Sequence, residues 1–412
     1  MKKFFAAGMA TVMMLGILAG CSNSVRLSKF DLDVGDDFTF GKYHGEEIEW
    51  EVLSRNFLVE EGRIRVQLYS KYVLDCQPFD EDGDEVSWAD CSLREWLNND
   101  FFKEAFSATE QKQIRETSYF NMYGDERYLT DKIYLQSFIS YRLKPEEAMC
   151  KPTDYAEDQG VTVEEGYARY WGRDIIQTSI ASSTGHGGST IHYPMVFNCS
   201  GQLSMADNNF EHLYDADDVG VRPVICVEFQ APIEKRNIKR GDIVTFGSYE
   251  KDPIEWLVSD KDKDGITLFS RYGLLDKRMD KGEVESFEET SLRDWLNDDF
   301  YNDSFTDKQK KRLAEFDNDD YVRLMGFDEF KECRKDLGYE LFGGYTKAYY
   351  DDHSELADEL PSGQKIFDEW WFMDMSDKKD NSFRTFEPVR FGGNAEASAE
   401  RSVRPVIKIS IS

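Results

Sequence analysis

The sequence predicts an α+β protein built as two tandem copies of one mixed domain, each with a mainly antiparallel sheet and two short consecutive helices. Three observations predict it. A helix phrase occurs twice, as Ser92-Leu93-Arg94-Glu95-Trp96-Leu97-Asn98 and as Ser291-Leu292-Arg293-Asp294-Trp295-Leu296-Asn297. A strand phrase, Ile48-Glu49-Trp50, returns as Ile254-Glu255-Trp256, and Phe40 returns as Phe246 at the same 206-residue offset (256 − 50 and 246 − 40). A closing phrase, Val221-Arg222-Pro223-Val224-Ile225, returns as Val403-Arg404-Pro405-Val406-Ile407. A chain of 412 residues also exceeds one ordinary core and suits two domains. The expected boundaries are residues 34–230 and 240–412, joined by a linker at 231–239.

The chain starts differently. Lys2 and Lys3 precede an apolar run from Phe4 to Leu18, followed by Ala19-Gly20-Cys21. The run is too short for a comfortable membrane span and has the layout of a secretory signal. Its end resembles a bacterial lipobox. That resemblance implies cleavage after residue 20, a diacylglyceryl group on Cys21 and a polar tether at 21–33. Two or more acyl chains give stable anchoring where one does not. The expected location is the extracytoplasmic face of the cell membrane, with the membrane as a partner through Cys21. No later run of about 18 apolar residues predicts another span.

Each unit then opens on short alternating runs that read as strands of a meander: Trp50 to Leu58 and Arg63 to Ser70, then Trp256 to Ser259 and Ile266 to Ser270. In the helix phrase, Ser92 with Glu95 and Ser291 with Asp294 have capping-box spacing, and Leu93, Trp96 and Leu97 share one face. A second capping box follows in each unit, Ser107 with Glu110 and Thr306 with Gln309, so the two helices break at Phe106 and Phe305. Asp131 to Ser137 and Tyr321 to Met325 read as further strands. Tyr170-Trp171 and Trp370-Trp371 mark the next, and the closing phrases mark the last. A proline beside a strand start favours a first-residue or edge position.

The order of these phrases resembles a bacterial surface family known as domain of unknown function 6273, over residues 34–230 and 240–412. More weakly, the element order resembles C-type-lectin-like and formylglycine-enzyme-like domains. That second resemblance implies paired first and last strands, and a ligand surface between the Trp strand and the Val-Arg-Pro strand. In the first unit this is Gly172 to Gly220, with His186, His192, Asn198, Asp207, Asn208, Asn209 and His212 as candidate ligand residues. Trp171 could stack on a sugar, although large aromatics mostly pack in cores.

The formal charge of −30 excludes nucleic acid as a partner, because phosphate backbones would be repelled. Cys76 aligns with Asp276 and Cys91 with Thr290, so both members of a candidate disulfide are missing together from the second unit. Such a bridge would stabilise by roughly 3 kcal/mol, and buried free thiols are the alternative. Glu49 with Arg222, and Glu255 with Arg404, are candidate structural ion pairs. Asp260-Lys261-Asp262-Lys263-Asp264-Gly265 lacks the twelfth-position acid of a calcium loop and reads as a hairpin turn. The acidic run Asp80 to Glu85 could hold a hard cation, but a solvated loop is the simpler reading. The stretch Ser182 to Thr190 has neither the lysine of a phosphate loop nor a nucleophile elbow. No metal or cofactor is expected. The expected function is a non-catalytic binding module for a glycan or peptide. The alternatives are an assembly protein of the envelope or a formylglycine-enzyme-like catalyst, for which Cys199 and Cys226 are too far apart in the chain.

Overall fold

The computed structural model describes residues 32–121, 128–137, 148–180, 189–206, 212–231, 233–316, 319–337, 344, 346, 349, 369–376, 381–386 and 393–411. The signal, Cys21 and all but the last two residues of the tether lie outside them. The fold is mixed α+β and mostly sheet, with few short helices. Among the described residues no helix is long and apolar enough to cross a membrane.

Ten strands form one sheet that runs through both halves of the chain. They are β1 (Asp37–Tyr43), β2 (Glu46–Leu58), β3 (Arg63–Ser70), β4 (Ile133–Leu135), β5 (Pro223–Gln230), β6 (Ile243–Tyr249), β7 (Asp252–Lys261), β8 (Ile266–Ser270), β9 (Val322–Arg323) and β10 (Val406–Ile409). Their order is β9-β10-β8-β7-β6-β2-β3-β5-β4, with β1 on the early part of β2. The halves meet where β6 pairs in parallel with the end of β2, Ile243 opposite Asn56 and Thr245 opposite Leu58. The two halves are therefore joined by backbone pairing as well as by the 231–239 segment.

Local chemistry explains the recurring phrases. Gly41 and Gly247 have φ of +78° and +74°, a region that side-chain-bearing residues rarely adopt. A Cβ on either would also lie 2.6 Å from the Phe106 or Phe305 ring. Each glycine sits in the bulge of its first strand. The Trp50 and Trp256 indoles each donate to the carbonyl ten residues earlier, Phe40 and Phe246, at 2.7 Å. Both indoles are fully buried, so the bond satisfies their one polar group. The Asp260–Gly265 stretch is a turn, in which Asp262 Oδ1 accepts the Asp264 and Gly265 amides.

The helix phrase differs from its sequence reading in two ways. The N-caps are Cys91 and Thr290, one residue before the serines. Ser92 Oγ instead accepts the Glu81 amide of the preceding loop. Each helix also widens into a π-helical turn, Leu97–Phe101 and Leu296–Phe300, before ending at Ala105 and Ser304. The second capping boxes are present at Ser107–Glu110 and Thr306–Gln309, after extended breaks at Phe106 and Phe305.

Two five-stranded sheets flank the large one. The first runs Leu203–Ser204, Ser189–Phe197, Tyr170–Ile180, Gly220–Val221, Asp75–Cys76. The second runs Gly393–Glu396, Ser382–Phe386, Trp370–Met375, Glu400–Ser402, Asp276–Arg278. The expected pairing of first and last strands is not what closes the fold. The last strands β5 and β10 pair with β3 and β8. Pro223 is the first residue of β5, where its missing N–H costs no ladder bond.

Candidate functional site

Two polar residues of the helix phrase shared by the halves, Arg94/Arg293 and Asn98/Asn297, hold the scaffold. The Arg94 Nε donates to Asp131, and Arg293 pairs with Asp320. Asn98 Nδ2 donates to the Ile133 carbonyl while its Oδ1 accepts the Lys132 and Ile133 amides. Asn297 does the same with Val322 and Tyr321. A hollow of about 300 Å³ lined by Cys91, Arg94, Glu95, Asn98 and Asp131 belongs to this network. The expected ion pairs are replaced by other contacts. Glu49 is exposed and lies 3.4 Å from Lys71, whereas Arg222 donates to the Ser70 carbonyl and stacks 3.7 Å over Tyr69. Glu255 pairs with Arg271 at 2.7 Å, and Arg404 donates to the Ser270 carbonyl over the Phe269 ring. The arginines end up in the core because carbonyls and aromatic faces satisfy them there. The glutamates, one residue before the buried tryptophans, face the other side of the strand.

The halves differ at the hairpin that the Trp strand opens. In the first half its strands are Tyr170–Ile180 and Ser189–Phe197; in the second, the shorter Trp370–Met375 and Ser382–Phe386. His192 sits on this hairpin opposite Gln177, and its Nδ1 lies 2.7 Å from Glu85 Oε1. Glu85 ends the acidic run Asp80 to Glu85, so the fold brings that loop against the hairpin. The same loop meets the 212–215 segment, since the Asp80 amide donates to the Tyr214 carbonyl and Gly83 abuts the Asp215 side chain. His212 Nδ1 is 3.2 Å from Asp215 Oδ1. Two imidazoles and a set of exposed carboxylates thus share one polar surface. Its groups can accept hydrogen bonds from hydroxyl, amine or amide donors. Among the described residues no cluster of three metal-ligating side chains occurs.

Other expected site residues fall elsewhere. Asn198 Oδ1 is taken by the Ser200 and Gln202 amides, which makes it a turn residue. Trp171 is buried, and its indole donates to the Gln77 carbonyl at 2.8 Å, matched by Trp371 on Lys277 at 2.9 Å. It cannot stack on a sugar. His186, Asp207, Asn208 and Asn209 lie outside the described residues.

Cys76 and Cys91 are free thiols instead of the expected bridge. Cys76 Sγ points to the Asp217 carbonyl and Cys91 Sγ to the Trp88 carbonyl, on different elements. Burial, with the charges of Asp75, Asp218 and Asp217, pushes the Cys76 thiol up to about 12. Burial is also the main cause that takes Cys91 to about 12 and Cys226 to about 11. It raises Cys150 and Cys199 as well. These thiols stay protonated at neutral pH and are poor nucleophiles.

Sequence reasoning missed one polar set, at the seam between the halves. Arg55 is buried and donates from Nε and Nη2 to the two oxygens of Asp242 at 2.9 and 2.6 Å. Its Nη1 reaches the Leu32 carbonyl. Asn56 Nδ2 donates to Glu255, and Thr245 Oγ1 donates to Asn56 Oδ1. A signal did exist: the recurring Asp36/Asp242, Thr39/Thr245 and Glu49/Glu255, without a recurring Arg55-Asn56.

Residues 65–229 match a family model described as Domain of unknown function (DUF6273). The match lies within the expected first unit and runs almost to its end. No curated protein and no solved structure matches the chain.

Proposed function

We propose that the chain is a lipid-anchored, non-catalytic binding module made of two copies of one domain, residues 34–230 and 240–412. In this reading Cys21 carries the anchor on the extracytoplasmic face of the membrane. The ligand is a glycan or peptide, taken by the hairpin surface of the first copy. The observation that carries the reading is the contact of His192 with Glu85, which joins the hairpin, the acidic loop and the His212–Asp215 segment into one exposed polar surface. Two further points support it. The shared Arg94/Arg293, Asn98/Asn297 and Arg222/Arg404 are engaged in scaffold bonds, whereas the contact of His192 with Glu85 belongs to the first half. Burial raises the pKa of the Cys76 and Cys91 thiols, which disfavours a thiolate nucleophile at either. The C-type-lectin-like layout belongs to the same proposal and rests on element order.

Glycan and peptide arrays probed with residues 22–412 test it. Binding is expected, and a His192→Ala, Glu85→Ala double substitution is expected to weaken it while the melting temperature stays within a few degrees. Absence of binding on both arrays, with envelope proteins co-purifying instead, would favour the assembly role.

A further inference from the structure

The seam between the halves has an open duplicate on the first half. In the second half, the outer edge of β6 is covered by Asn56–Leu58 of β2. Three side chains receive that strand: Asp242 takes the Arg55 guanidinium, Thr245 donates to Asn56 Oδ1, and Glu255 accepts from Asn56 Nδ2. At the same 206-residue offset the first half carries Asp36, Thr39 and Glu49. Their local frame matches as well. Asp36 accepts the Asp33 amide at 2.7 Å as Asp242 accepts the Lys239 amide at 2.6 Å. Val52 donates to the Asp36 carbonyl as Val258 donates to that of Asp242, both at 2.9 Å.

On the first half nothing described pairs with that edge, since β1 is hydrogen-bonded to β2 alone. The Asp36 carbonyl faces β2, so by strand alternation the backbone groups of Asp37 and Thr39 face outward. Burial records the difference. Asp242, Ile243 and Val244 are buried, whereas Asp36 and Phe38 are half-buried and Asp37 and Thr39 are exposed. Val34, beside this edge, is 58% exposed, one of two large apolar residues so placed among those described.

We propose that the outer edge of β1 is a docking site for an extended segment of another protein, added as a parallel strand. The segment carries an arginine followed by a polar, an aromatic and an aliphatic residue, the chemistry of Arg55-Asn56-Phe57-Leu58. Its arginine goes to Asp36 and its polar side chain to Thr39 and Glu49. Strand addition supplies main-chain bonds, and these pockets supply selectivity. A second copy of this chain is a poor source. Its own Asn56–Leu58 is already on its β6, and its other hairpin turns at Asp262 before a matching arm can form. The proposal stands apart from the hairpin surface and does not rest on it.

The test uses a labelled peptide, Leu-Ser-Arg-Asn-Phe-Leu-Val, titrated into residues 22–412 and followed by fluorescence anisotropy. Saturable binding is expected. It should weaken more than about tenfold with Asp36→Asn, which removes the charge that an arginine pairs with. It should also be lost with Thr39→Pro, which removes an outward amide at an edge position that tolerates proline. His192→Ala should leave it unchanged. Absence of saturable binding overturns the proposal, as does binding indifferent to both edge variants. Binding that falls with Asp242→Asn instead would put the peptide at the seam and overturn it. Self-association of the chain abolished by Asp36→Asn would make a second copy the occupant and overturn the choice of partner.

Discussion

Glu228 shows how one side chain on β5 gathers three arginines, two from β3 and one from the segment at Arg115. Its carboxylate is nearly inaccessible and is bonded to Arg65 at 2.9 Å, to Arg115 at 3.0 Å and to Arg63. Burial pushes its pKa up, but the Arg65 hydrogen bond and the charges of Arg115, Arg63 and Arg65 outweigh it, and the net shift is down from 4.5. A depressed carboxylate contributes stability that is present above the unfolded value and is lost as pH falls through the folded value. Glu228→Gln should therefore lower the melting temperature at pH 7, and the gap from the parent should close as pH drops below about 4. A gap that stays constant down to pH 3, in thermal melts across the range, would mean the three arginines do not act on this carboxylate. The same residue-scale logic explains why the pairing of Glu49 with Arg222 did not form. Recurrence in the sequence identified both as scaffold residues, but it could not say which side of a strand each faces. The carbonyl of Ser70 was a cheaper partner for a buried guanidinium than a carboxylate that would have had to leave water.

At the scale of the element, the duplicated helix contains its own control experiment. In the second half, Thr290 caps the helix by accepting the Arg293 amide at 3.2 Å, and its hydroxyl donates to Phe287 at 2.8 Å. In the first half Cys91 holds the same place with its thiol toward Trp88 at 3.5 Å and makes no side-chain cap bond. Cys91→Thr should supply the missing bond in a site already shaped for it, and raise stability by about 0.5–1 kcal/mol. The converse, Thr290→Ala, should cost about 1 kcal/mol or somewhat more, since it also leaves the buried cavity of the side chain. Urea unfolding of both variants checks the pair; a loss on Cys91→Thr would show that thiol packing outweighs the cap. Much of this element was legible, because capping boxes and apolar spacing are local codes. The N-cap lay one residue off because Ser92 has the right chemistry but is claimed by Glu81 of a loop that the helix meets only after folding. The π-helical turn carries no such local code. It accompanies the Asn98 and Asn297 bonds to a distant strand. At the hairpin surface, the sequence singled out His192 by residue type and Glu85 as the end of an acidic run, but their contact, 107 residues apart in the chain, has no local signal.

At the scale of the whole molecule, the sequence read as two domains on a linker, and the structure joins them through one sheet. The difference comes from six residues. Between the paired positions Trp50 and Ser70 the first hairpin is longer than the second, between Trp256 and Ser270, by three residues on each side. That extension carries Arg55-Asn56-Phe57-Leu58 to the edge of β6, a contact 187 residues apart in the chain that no local pattern announces. Among the described residues, the one ion pair of the seam that is buried on both sides is Arg55 with Asp242. Arg55→Ala would leave Asp242 buried without its partner, a loss of about 3–5 kcal/mol. Because the sheet is continuous, the parent chain should unfold in a single calorimetric transition. Arg55→Ala should broaden or divide it, as the coupling between the halves weakens while the β6–β2 backbone pairing remains. Replacing the pair by Arg55→Met with Asp242→Leu removes both charges together and should restore the single transition, since a matched apolar pair avoids the desolvation penalty. Two transitions in the parent, or one unchanged transition in Arg55→Ala, would mean that Arg55 and Asp242 do not couple the halves.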